Sequence, residues 1–169
     1  MEIQVARIEH LPIIQKIAFD TWPVTYGHLM SKEQFTFMLN WMYSLESLQE
    51  QFTSGQIFLL ATENEKSYGF ASFELNYKGL SKTKIHKLYI LPDSQGKGVG
   101  KLLVQKIKES ALANRNTTLT LNVKRDNQAL AFYNRIGFQI IADEDIDIGH
   151  GFMMRDYVLE LNLENNPVS

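Results

Sequence analysis

Three features of the sequence predict a mixed α/β fold of the α+β kind, a central sheet of about six to seven strands with helices on both faces. Apolar residues recur with period two in some stretches and with period 3.6 in others, in the order strand, two helices, three strands, helix, strand, helix, two strands. The 169 residues contain no internal repeat, and that length suits one domain over residues 1–169 with a sizeable core. Alternate glycines concentrate in one strand-to-helix turn, Gln95-Gly-Lys-Gly-Val-Gly-Lys101.

Taken in order, Ile3 and Val5 alternate with polar residues in a short first strand. Leu11-Pro12 opens a helix with Ile13, Ile14, Ile17 and Ala18 on one face, expected to stop near Thr21-Trp22-Pro23. Trp22 to Met30 then reads as an aromatic loop. Ser31 with Gln34 three residues on forms a capping box for a second helix carrying Phe35, Met38, Leu39 and Met42, and a further helical piece carries Leu45, Leu48 and Phe52. From Gln56 the period becomes two. Ile57 to Thr62 and Ser67 to Tyr77 flank the polar turn Glu63-Asn64-Glu65-Lys66, a hairpin signal.

The strand Ile85 to Leu91 is rich in β-branched and aromatic residues and stops at Pro92. After the glycines, Val99, Leu102, Leu103, Ile107 and Ala111 give one apolar stripe on a helix running to about Asn114. Thr117 to Lys124 alternates again, and Asp126 is expected to cap a short helix with Ala129, Phe132 and Tyr133 that ends at Gly137. Phe138 to Ala142 and Met153 to Leu163 complete the strands, with Asp143 to Gly151 as an acidic connection and Asn165 to Ser169 as a frayed end.

The turn has a chemical use. Gly96, Gly98 and Gly100 lack a Cβ, so the backbone can take positive φ and approach a ligand, while the following helix presents unpaired N–H groups at its positive end. Such a turn cradles a pyrophosphate, and Lys97 and Lys101 add positive charge. A P-loop would need Ser or Thr after its lysine, where Leu102 stands, and a dinucleotide fingerprint has a different glycine spacing. What the stretch resembles is the acetyl-coenzyme A signature of the GNAT N-acetyltransferase superfamily, Q/R-x-x-G-x-G/A after a strand and proline, matched by Gln95, Gly98 and Gly100 with Gly96, Lys97 and Val99 between. A second match, N-x-A-x-x-F-Y-x-R-x-G-F, runs from Asn127 through Ala129, Phe132, Tyr133, Arg135 and Gly137 to Phe138.

That resemblance implies a GNAT fold, acetyl-coenzyme A as co-substrate and transfer of an acetyl group to an amine. It places Leu88, Tyr89 and Ile90 along the pantetheine, with an oxyanion donor at a backbone bulge near Tyr89 or Ile90, and Asn127 on coenzyme A. An alkylammonium with a pKa near ~10 must lose a proton before attack. His86, on the strand face of Leu88 and Ile90, suits that task, unless it merely fills the sheet surface. Asn122 occupies a position where other GNAT members carry a glutamate base, and an amide cannot titrate. Glu74 is a fallback base or a solvent-facing strand residue. Tyr133, a phenol protonated at neutral pH, is the expected acid for the leaving thiolate, or else a packed helix aromatic.

The resemblance also puts Trp22, Tyr26, His28 and the region of His150 at the acceptor site. Aromatic faces hold cationic amines, and the run Asp143, Glu144, Asp145 and Asp147 either attracts a polyamine or is a solvated loop. The helical insert after Trp22 and the H-K-L-Y-I-L-P strand are similar to bacterial spermine/spermidine acetyltransferases, so the expected acceptor is a small primary amine such as a polyamine. A protein N-terminal or lysine amine is the alternative, and a coenzyme A-binding regulatory module without turnover is the reading from another class. A net charge of −2 offers nucleic acid or an anionic membrane no electrostatic attraction. Without cysteine, and with four histidines at no ligand spacing, no metal is expected. No apolar run approaches ~20 residues, which makes a cytoplasmic protein the default. Aromatics around Trp41 and Tyr43 suggest a possible homodimer contact.

Overall fold

The computed structural model describes residues 1–164, so the expected fraying of Asn165 to Ser169 lies outside the described residues. Seven strands are hydrogen-bonded in the order β1-β2-β3-β4-β5-β7-β6, which makes the mixed sheet that the sequence predicts. The chain clusters into two compact units, one of Met1–Glu74 with Lys87–Ile107, the other of Leu75–His86 with the chain from Lys108 onward.

In the first unit β1 (Glu2–Val5) and β3 (Lys66–Glu74) pair antiparallel with β2 (Ile57–Glu63) on either side. The β2–β3 hairpin closes on Asn64 and Glu65, with φ of 51° and 63°, the left-handed pair that a two-residue turn needs to match strand twist. Phe58 to Ala61 and Phe70 to Phe73 are at most 1% exposed, so these strands are covered on both faces and read as continuous apolar runs. α1 (Leu11–Tyr26) buries Leu11, Ile14, Ile17, Ala18, Thr21 and Trp22. It runs through Pro23, against the expected stop near Thr21-Trp22-Pro23. The penalty of an interior proline, about 3 kcal/mol, is offset by one more turn of burial: Trp22 packs on Tyr26 at 4.5 Å, and Gly27 N–H donates to the Pro23 carbonyl at 3.1 Å. The expected aromatic loop is thus partly helix.

α2 (Lys32–Tyr43) starts where Ser31 Oγ accepts the Gln34 N–H at 3.1 Å, and α3 (Leu45–Thr53) where Ser44 Oγ accepts the Ser47 N–H at 3.2 Å. Of the two aromatics expected at a surface, Trp41 is half exposed and stacks on Phe37, whereas Tyr43 is fully buried. α4 (Val99–Ala113) buries Val99, Leu103, Val104, Ile107 and Ala111, while Leu102 is exposed. The stripe is therefore rotated slightly from the expected one.

In the second unit the first half of β4 (Lys82–Ile90) runs parallel to β5 (Thr118–Lys124), with Lys82 beside Thr118 and Ile85 beside Leu121. β7 (Phe152–Asn162) pairs antiparallel with β5 and with β6 (Gln139–Gly149). The expected connection Asp143 to Gly151 is mostly strand, turning at His150 and Gly151 with φ of 55° and 76°. Its carboxylates suit an edge, where charge discourages pairing with another chain. β3 stops three residues before the expected Tyr77, because Asn76 turns left-handed and its N–H donates to Asn116 Oδ1 at 3.0 Å. α5 (Ala129–Arg135) is opened by Asn127, whose Oδ1 accepts the Ala129 N–H at 2.9 Å, and not by Asp126. Gly137, with φ of 104°, ends it.

Candidate active site

β4 delivers the chain to the glycine turn. After Ile90 a short 3-10 turn, Pro92–Ser94, is closed by Ser94 N–H donating to the Leu91 carbonyl at 2.8 Å. Gly96 and Gly98 follow with φ of 78° and 80°, and a Cβ on either would meet nothing within 4 Å. Their requirement is conformational, and the space beside them is open. Gly100 differs from the expectation: it lies within α4 and takes no positive φ. Leu102 N–H donates to the Gly98 carbonyl at 3.1 Å, so the helix begins directly on the turn and its first N–H groups point out of its end. The side chains of Lys97 and Lys101 are exposed there, and Gln95 Nε2 lies 3.5 Å from the Ile90 carbonyl. Two left-handed glycines, a helix N-terminus and two lysines are a donor set that fits a pyrophosphate.

Behind the end of β4 lies an aromatic cluster in the same unit. Tyr89 packs on Phe70 at 5.7 Å, Tyr43 at 6.0 Å and Trp22 at 6.4 Å, and its hydroxyl is 3.4 Å from that of Tyr26. Gly69 allows this approach, because a Cβ there would lie 2.8 Å from the Tyr89 carbonyl oxygen. Trp22 is 2% exposed, so the indole supports Tyr26 from behind and does not line a surface. Trp22 Nε1 and the Tyr43 hydroxyl are buried without a partner at hydrogen-bonding geometry among the described residues. Burial drives the Tyr43 phenol strongly upward, and neighbouring Tyr89 and Trp22 only partly counter it. Lys87, 5% exposed, carries its Nζ over the rings of Tyr43 and Phe58 at 5.8 and 6.0 Å, and burial lowers its pKa to about 8.

The second unit holds the titratable candidates. Tyr133, 7% exposed on α5, is fixed between Phe132 at 5.3 Å and Phe138 at 5.6 Å. His86 meets Tyr77 edge-on at 5.9 Å. Asn127 uses its side-chain oxygen to start α5. Glu74 ends β3, half-buried, in the first unit, whereas His150 is exposed at the β6–β7 turn.

Sequence reasoning missed a polar cluster next to His86. Lys84, on the same face of β4, donates from Nζ to Asn122 Oδ1, and Asn122 Nδ2 donates to Glu144 Oε2 at 2.9 Å and lies 3.5 Å from Asp156 Oδ2. Asp156 is 1% exposed. Burial pushes its carboxyl up and the Lys84 ammonium down. The signal was Asp156 standing at a strand position, but only the β6–β7 register shows what it faces.

Residues 28–161 match the family model described as an acetyltransferase (GNAT) domain. The chain belongs to the GNAT family. As a GNAT acetyltransferase it depends on acetyl-coenzyme A as co-substrate and transfers the acetyl group to an amine. A spermidine N(1)-acetyltransferase of Thermoplasma acidophilum is 27% identical over 160 residues, covering 91% of this chain and 95% of that one. A peptidyl-lysine N-acetyltransferase of Escherichia coli, YjaB, is 30% identical over 105 residues, covering 61% of this chain and 63% of that one. Among solved structures, the PaiA N-acetyltransferase of Thermoplasma acidophilum in complex with coenzyme A superposes with a TM-score of 0.78 at 24% identity, covering 96% of this chain and 99% of that one. Among the described residues no helix is long and apolar enough to cross a membrane.

Proposed function

We propose that this GNAT enzyme acetylates a primary amine of a small molecule, with a polyamine as the first choice. The observation that carries the acceptor class is the likeness to a spermidine acetyltransferase along 91% of the chain, whereas the likeness to a lysine acetyltransferase spans 61%. The latter keeps a protein amine as the second reading.

In this reading Gln95 to Lys101 bind the pyrophosphate of coenzyme A, Asn127 makes a further contact with it, and the backbone of Leu88 to Ile90 lies along its pantetheine. Bound acetyl-coenzyme A supplies an activated acetyl thioester. His86 accepts, directly or through a water, the proton that the acceptor ammonium must lose before its lone pair attacks. Tyr133 holds a phenolic proton for the sulfur as the carbon–sulfur bond breaks. Tyr26, Glu74 and His150 are the candidate acceptor contacts.

Release of free coenzyme A thiol across polyamines, aminoglycosides, amino acids and peptides tests the reading. Turnover is expected with the polyamines, and Tyr133→Phe should lower kcat by about a hundredfold. Acetyl-coenzyme A binding with no turnover on any amine would overturn the small-amine reading in favour of a regulatory module.

A further inference from the structure

The turn that leads into β4 takes the left-handed conformation at Asn76, Lys78 and Gly79, with φ of 53°, 54° and 71°. Asparagine and glycine enter that region readily. Lysine has no short polar side chain to compensate, and such a residue persists only where its surroundings over-determine it. Here the anchor is Asn116, 1% exposed, whose Oδ1 accepts the Asn76 N–H at 3.0 Å and the Thr83 hydroxyl at 2.8 Å. Asn116 Nδ2 donates to Asn76 Oδ1 at 2.7 Å, so one buried side chain ties the residue before Tyr77 to β4. On the other side, Leu80 N–H donates to the Tyr77 carbonyl at 3.0 Å.

What this turn delivers is the Tyr77 ring. Lys84 and His86 share one face of β4 by alternation, and Tyr77 meets both. Its centroid is 5.9 Å from that of His86, with the rings at 79°, and 5.5 Å from Lys84 Nζ. Lys78 brings a second ammonium to 5.4 Å, and Lys84 is itself held by donating to Asn122 Oδ1 on β5. Two cations on one aromatic ring restrain it in a half-buried place where apolar packing alone would leave it freer. The ring therefore presents a fixed wall to the imidazole. The χ2 torsion of a histidine is broad and nearly two-fold, so a half-buried strand histidine turns over unless a neighbour selects one orientation. A ring at right angles and this distance makes that selection. A general base needs it, because its nitrogen must stand within hydrogen-bond reach of the proton it takes.

We infer that Tyr77 is a positioning residue for His86: its ring, carried by the turn that Asn116 anchors and steadied by Lys78 and Lys84, holds the imidazole in the orientation from which it accepts the acceptor's proton. The inference rests on the reading of His86 as base and adds what aims it. Tyr77 acts through His86 and exchanges no proton itself. Its ring carries the role and its hydroxyl does not, which separates it from Tyr133, whose phenolic proton is the one proposed to reach the sulfur. The left-handed Lys78 has its explanation in the same device, since the turn places an aromatic ring beside His86.

The test measures kcat with spermidine, and the acetyl-coenzyme A KM, for Tyr77→Ala, Tyr77→Phe, His86→Gln and the double variant Tyr77→Ala/His86→Gln. Tyr77→Ala should lower kcat about tenfold or more with that KM unchanged, and Tyr77→Phe, which keeps the ring, should bring kcat back to within about threefold of wild type. Tyr77→Leu, apolar but without a ring, should match Tyr77→Ala and replaces it if that variant does not fold. The double variant should be no slower than His86→Gln, because a residue acting through another adds nothing once that one is gone. Losses that add, or a Tyr77→Phe as slow as Tyr77→Ala, would overturn the inference. So would an unchanged kcat in Tyr77→Ala where His86→Gln is impaired, and the base reading would then survive. Full activity in His86→Gln would overturn that base reading and the role of Tyr77 with it. The imidazole resonance of His86, assigned by its absence in His86→Gln, needs no acceptor. It should shift and broaden in Tyr77→Ala and return in Tyr77→Phe, and an unmoved resonance would overturn the contact even if spermidine were not acetylated.

Discussion

At Gly98 a Cβ would meet nothing within 4 Å, while at Gly69 it would lie 2.8 Å from the Tyr89 carbonyl oxygen. The two glycines belong to the same unit, and their reasons are opposite. Gly98 is glycine because its φ of 80° excludes L side chains at low cost, and the space beside it is left for something else. Gly69 has an ordinary strand conformation and is glycine because another backbone occupies the place of its side chain. An open glycine turn, the proposed pyrophosphate site, and a packed strand therefore use one residue type in distinguishable ways.

The largest expected effect lies on the packed side. Gly69→Val must push against the Tyr89 backbone, which cannot step aside as a flexible side chain would, and should cost about 3 kcal/mol or more in urea unfolding. An unchanged midpoint would break the comparison.

Next comes Lys87, on the strand that Gly69 faces and sealed among aromatic rings. Its folded pKa of about 8 lies below the ordinary 10.5, so the folded state holds the proton less tightly than the unfolded one. The resulting cost, about 3 kcal/mol, is fully present below pH 8 and disappears as pH rises toward 10.5. Wild type should therefore gain Tm from pH 7 to pH 9.5, whereas Lys87→Met should be more stable than wild type at pH 7, by about 2 kcal/mol, and lose that rise. A flat wild-type profile would show that the face is open to water.

On the ligand side, Gly98→Ala should cost only about 1 kcal/mol in stability yet raise the acetyl-coenzyme A KM about tenfold. A large stability loss with unchanged KM would reverse the assignment. Lys97→Ala should have the smallest effect, about twofold in that KM at low salt and vanishing at high salt, since an exposed charge is well screened.

Much of this fold is legible in local pattern. The order of elements follows from apolar period alone, and the Gln95 to Lys101 turn is a contiguous run whose chemistry is carried by its own backbone. Where reading failed, a distant contact had overridden a local rule. Pro23 signals a helix end, but the packing of Trp22 and Tyr26 carries α1 through it. Asp143 to Asp147 look like a loop, but pairing with β7 makes them strand.

By itself the sequence determined the alternation of strands and helices, the glycine turn between β4 and α4 and the aromatic helix bearing Tyr133, because each depends on residues within a few positions of one another. Only the tertiary structure decided that Lys87 is buried while Lys84, three residues earlier, joins Asn122, that Gly69 yields its side-chain space to Tyr89, and that Glu144 meets Asp156. Those depend on strand register, in which a shift of one residue would send every side chain to the other face.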